Sequence, residues 1–337
     1  MKDELEQPTD LCTPTGTLSP DAVGWSRRPL HRCNLSGHRL RKKRWNYWAV
    51  QTERYFFAAG IANLDFAATA FAYLVDLRRK SVTERSVVTP FGRGCTLGEH
   101  VHSTAAFRSR RITFSETHEE NTASVLVTCD NFHGGSRLSA AVRVIYPDNF
   151  ETLGVVVPMD HERFQYTSKH IAVPVAGRVR IGRNEIPFEG VEAFACLDFG
   201  RGVWPRRTVW NWGAASGYVG NANVGLNLGG KWTDGTGATE NAVFLDGRLI
   251  KIHEDLEWTY DAANFLAPWR VRAPLSGDVA LLFEPIVERR SHVDALLLRS
   301  RVHQVFGIWS GTVRGEHGET IEIPYLFGWA EEHRALW

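Results

Sequence analysis

Beyond its first forty or so residues the chain alternates apolar and polar positions in short runs, each broken by Gly, Pro, Asn or Asp. RSVVTPF, AAFRSRRITFSET, ASVLVTCDNF and LSAAVRVIY carry the two-residue period of half-buried strands, and no sustained helical period accompanies them. HIAVPVAGRVRI and EIPFEGVEAFA meet around Gly182-Arg183-Asn184, and ENAVFL and RLIKI meet at Asp246-Gly247; both junctions are hairpin signals. Tyr55 to Val75 is apolar enough to suggest a membrane span, but Asn63 and Asp65 interrupt its centre, where an aspartate costs about 2.5–3.5 kcal/mol. It reads instead as two strands flanking a polar break. The opening residues are rich in Pro, Thr, Ser, Gly and Arg and hold neither period. The pattern therefore predicts an all-β protein with little helix: an extended arm over 1–40, then two β-barrel or β-sandwich domains over 41–203 and 204–337.

Composition narrows the class of partner. Lys and Arg total 39 against 38 Asp and Glu, so no long-range field gathers nucleic acid. Five scattered cysteines argue for reduced thiols rather than a disulfide framework, and the acidic MKDELEQPTD start lacks the apolar core of a secretory signal, so a cytoplasmic location is expected. Cys12, His31, Cys33 and His38 have ligand chemistry but no common zinc spacing, and no metal is expected. The glycines of GRGCTLGEHVH lead into no readable helix, so they form no nucleotide loop, and no cofactor is expected. The basic run RLRKKR suits a solvated charged face, with peripheral contact to an anionic surface as its other use. Oligomeric state is not legible.

Candidate chemistry concentrates in VEAFACLDFGRGVWPRRTVWNWG, from Val191 to Gly213, where one aspartate, three arginines and three tryptophans interrupt a strand-like run. Asp198 shares a strand face with Phe194 and Cys196, a mixed apolar face that predicts burial. A carboxylic acid kept neutral among aromatic faces is equipped to protonate an alkene, which gives Asp198 a catalytic reading with Trp204, Trp210 and Trp212 as the pocket wall. Arg207 and Asn211 complete this part of the expected binding surface. Pairing with Arg201, Arg206 or Arg207 would instead make Asp198 a structural anion, and this is the preferred of the two readings. Downstream, GLNLGGKWTDGTGATEN gathers Asn227, Lys231 and Glu240 into a glycine-rich loop, read either as a pocket rim or as a surface loop.

The Arg178 to Gly213 run resembles a segment shared by carotenoid 1,2-hydratases and their attachment-protein-like relatives: a hairpin, an Asp-containing turn and a Trp-x-Trp strand. Arg44-Trp45-Asn46-Tyr47-Trp48 resembles the aromatic strand that opens that fold. Over nearly its full length, through GWSRRP, RWNYW and GLNLGGKWTDGTGATEN, the chain resembles a bacterial family built on domain of unknown function 2804. The wider group, which includes tocopherol-type cyclases, implies two lipocalin-like (calycin) β-domains side by side. It also implies an apolar ligand, polyene, prenyl or lipid-like, held inside a barrel, with the turn aspartate, here Asp198, as proton donor. The implied activity is hydration, isomerisation or cyclisation without a redox cofactor; the alternative is a non-catalytic lipid carrier.

Overall fold

The computed structural model describes residues 3–190, 192–295 and 298–337; Val191, the first residue of the central stretch, lies outside them. Among the described residues the chain is all β, with a single 3-10 turn at Pro20–Ala22 as its helical element. A 14-stranded and a 9-stranded sheet, both curled and barrel-like, carry the molecule. The chain leaves the first at Val203 and enters the second at Arg207.

The expected breaks fall where backbone geometry demands them. Asp65 turns with φ 67° between strands Tyr55–Asn63 and Ala67–Asp76. Asp246 and Gly247, at φ 48° and 78°, close the hairpin between Ala242–Leu245 and Arg248–Lys251, both in the left-handed region that a tight two-residue turn requires. The long strand Phe164–Ile181 carries a bulge between His170 and Val173, with Ala172 at φ 57°. The bend lets its first half pair with Phe194–Val203 and its second with Ser136–Ile145, so one strand serves both flanks of the first sheet.

Alternation then sorts side chains into three apolar layers. Ala195, Leu197 and Phe199 enter the core enclosed by the first sheet, while Phe194 and Cys196 face outward. In the second sheet Leu326 and Ala330 enter its own core, and Phe327 and Trp329 face outward. The two outward faces meet, and Phe56, Phe306 and Trp329 interlock between them with ring centroids 4.7–5.1 Å apart. The arm is tied into this body: Trp25 and Ser26 pair with Val155 and Gly154, Leu11, Cys12 and Cys33 enter the first core, and His31 and His38 bond the carbonyls of Ala22 and Gly16. No helix among the described residues is long and apolar enough to cross a membrane.

Candidate functional site

A cavity of about 220 Å³ opens where the two outward faces diverge. A single water needs only ~10–15 Å³, so the space is of ligand size. Its wall follows the period of two: Trp45 and Tyr47, Thr69 and Phe71, and Thr167 and Lys169 come from the first sheet, facing Trp210 and Trp212, Arg289 and Ser291, and Glu331 and His333 from the second. This cavity lies between the sheets rather than inside either curled sheet. Each sheet fills its own interior with large buried side chains, Phe107, Phe132 and Phe188 in the first and Trp269 and Trp309 in the second.

Asp198 reaches this cavity with its side chain 14% exposed. Its partner is not an arginine. Lys169, its cross-strand neighbour, places Nζ 2.9 Å from Asp198 Oδ1 and 3.0 Å from Glu240 Oε2. Thr167 Oγ1 donates to Oδ1 at 3.2 Å and Trp45 Nε1 to Oδ2 at 3.1 Å, so the carboxylate accepts from each neighbour. Burial pulls the Lys169 ammonium down, but the two carboxylates hold it above the usual lysine range. Arg201 sits three residues from Asp198 and thus on the opposite face, where its guanidinium donates to the Trp45 carbonyl and Asn46 Oδ1 and covers the Phe199 ring.

Six tryptophans line the space: Trp45, Trp204, Trp210, Trp212, Trp232 and Trp337. Trp204 is their hub, stacked on Trp232 at 5.0 Å and edge-on to Trp45, Trp210 and Trp337 at 5.7–5.9 Å. Several indole N–H groups are spent on the frame: Trp204 on Gln165, Trp212 on Asn227 and Trp232 on Glu240. Gly200 allows the Trp45 ring its position, since a Cβ there would lie 2.2 Å from it.

The acid that the geometry supplies is Glu331. It is 7% exposed, and burial pushes its carboxyl up to about 7, against the opposing pull of the Trp210 N–H, 3.0 Å from Oε1, and of Arg289. Burial, with Arg289 in support, holds the neighbouring His333 imidazole down at about 3, so it is neutral; its Nε2 meets Ser300 Oγ at 2.8 Å. Arg289 crosses between the sheets to pair with both oxygens of Glu84 at 2.8 and 3.0 Å.

Of the residues singled out in the sequence, Asp198, Trp204, Trp210, Trp212 and Glu240 line the cavity. Asn227 stands behind Trp212 and Glu240, and Asn211 faces away to bond Tyr260 and the Glu331 carbonyl. Arg207 is exposed outside the cavity, and Lys231 pairs with Glu332 in the second sheet. Lys169, Arg289, Glu331 and His333 were not singled out; the signal that marks Glu331 and His333 is their spacing of two and four residues from the apolar Trp329.

Comparison with solved structures places the fold among two-domain β proteins. CghA in complex with Sch210972 is 12% identical with a TM-score of 0.52, covering 88% of this chain and 89% of that one. Kievitone hydratase from Nectria haematococca is 12% identical with a TM-score of 0.50, covering 87% and 88%. No curated protein sequence matches the chain. The model of a family described as domain of unknown function (DUF2804) matches residues 2–337, and the chain belongs to that family.

Proposed function

We propose that the protein binds an apolar small molecule between its two sheets and that Glu331 transfers a proton to it. The observation that carries this reading is a buried carboxyl, held near neutral pH by desolvation, in the wall of an aromatic cavity. Asp198 and Glu240, bridged by Lys169, leave one negative charge in excess beside the tryptophan faces. That environment favours positive charge developing on a ligand.

The chemistry that fits is acid-assisted addition or cyclisation. The Glu331 proton goes to an alkene carbon, and the π pair forms the new C–H bond. Water, or a nucleophile within the same molecule, captures the cation and returns a proton to the Glu331 carboxylate. Asp198 serves as an electrostatic anchor rather than the acid. A carrier function is the competing reading, favoured by how fully the Asp198 oxygens are occupied.

The test begins with mass spectrometry of small molecules extracted from gently purified protein, followed by incubation of the recovered compound with wild type and Glu331→Gln. Conversion by wild type alone is the expected result. An apolar compound that binds unchanged to both proteins makes this a carrier, and a polar or absent ligand overturns the binding reading.

A further inference from the structure

We propose that the ligand bears an uncharged carbonyl oxygen and that Gln304 is the residue that selects it. This inference rests on the inter-sheet binding reading and specifies its substrate. Gln304 lies between Arg289 and Glu331 in the cross-strand row on the cavity face, paired in register with both. It is fully buried, and its carboxamide orientation is fixed. Tyr73 Oη donates to Oε1 at 2.7 Å and Arg289 Nη1 donates to the same oxygen at 3.3 Å. Tyr73 spends its proton on that bond, so Tyr47, 2.8 Å away, donates to Tyr73. A flipped amide would turn its NH₂ against a guanidinium that has only donors.

The consequence falls on Nε2, which is buried and has no hydrogen-bond partner. A donor in that position is costly unless something accepts from it. The chain of donors into Oε1 polarises the amide and makes Nε2 a stronger donor still. What it lacks is an acceptor, and a ligand that displaces the atoms now covering Nε2 at the cavity wall can bring one. A carboxylate is disfavoured because the charge of Arg289 is already committed to both Glu84 oxygens, and Asp198 and Glu240 would repel a second anion. A neutral carbonyl meets the requirement. Its oxygen on Gln304 would hold the adjacent carbons beside Glu331, one strand away, where a cross-strand neighbour is ~5 Å distant.

The experiment compares methyl naphthyl ketone with isopropenylnaphthalene, which has CH₂ in place of the oxygen and otherwise the same shape, by isothermal titration calorimetry. Wild type is expected to prefer the ketone by about tenfold, the worth of one good hydrogen bond. Gln304→Glu keeps the acceptor for Tyr73 and Arg289 and, ionised beside the Arg289 guanidinium, presents only acceptors where Nε2 stood. It should lose the ketone preference, read as the ratio of ketone to alkene affinity within the variant, which falls from about tenfold to about one. Equal affinities in wild type, or a preference that survives in the variant, overturn the role of Gln304 and leave the inter-sheet pocket standing. If neither compound binds wild type, the pocket reading falls and takes this inference with it.

Discussion

Replacing Glu331 by Gln should make the protein more stable at alkaline pH while removing its proton donor. Desolvation raises the folded-state carboxyl from 4.5 to about 7. Below the lower value both folded and unfolded chains hold the proton, and the residue contributes no pH dependence. Between the two values the unfolded chain has released its proton and the folded chain has not, so stability falls as pH rises, reaching its full penalty above about 7. At ~1.4 kcal/mol per unit the penalty is roughly 3 kcal/mol. Glutamine keeps the acceptor for the Trp210 N–H and carries no charge to desolvate. The variant should therefore match wild type near pH 4.5 and exceed it by roughly 3 kcal/mol at pH 8, a gain of roughly 4–5 °C in Tm for a chain of this size. Urea denaturation at both pH values measures the difference directly. A constant gap, or a variant less stable at pH 8, would refute a buried, protonated Glu331.

Lys169→Met should cost ~3–5 kcal/mol in urea denaturation, because it leaves Asp198 and Glu240 facing each other without a cation. Asp198→Asn should cost less, ~1–3 kcal/mol, since Lys169 keeps Glu240; full stability in either variant would contradict the anchoring role. Gly200→Ala should destabilise by ~1–3 kcal/mol and alter tryptophan fluorescence, because its Cβ collides with the Trp45 ring that donates to Asp198. An unchanged spectrum would show that ring to be free to move.

What the sequence disclosed and what it withheld divide along the line between local and non-local physics. The polar break at Asn63 and Asp65 and the Asp246-Gly247 turn are local, and both ended strands as their chemistry required. The partner of Asp198 is not local. Lys169 reaches it through strand pairing across 29 positions. The arginines near Asp198 in sequence were a poor guide, because the odd spacing to Arg201 sends that side chain through the sheet to the other side. The face of Phe194, Cys196 and Asp198 was readable from alternation, but not that a second sheet would cover it. The same holds for Glu331. Its run, GWAEEHRALW, gives a strand, and only the opposing aromatic face turns one of two adjacent glutamates into a desolvated acid while Glu332 is held down, to about 2, chiefly by Arg334, Tyr260 and Lys231 against the opposing effect of burial.

The claim on which the rest depends is that ligand occupies the space between the sheets. A crystal structure of the wild-type protein soaked with methyl naphthyl ketone tests it most directly. The account predicts density against Trp204, Trp212 and Gln304, with the ketone oxygen within hydrogen-bond distance of Gln304 Nε2. Density inside the core of either curled sheet, or only on the outer surface, would contradict it.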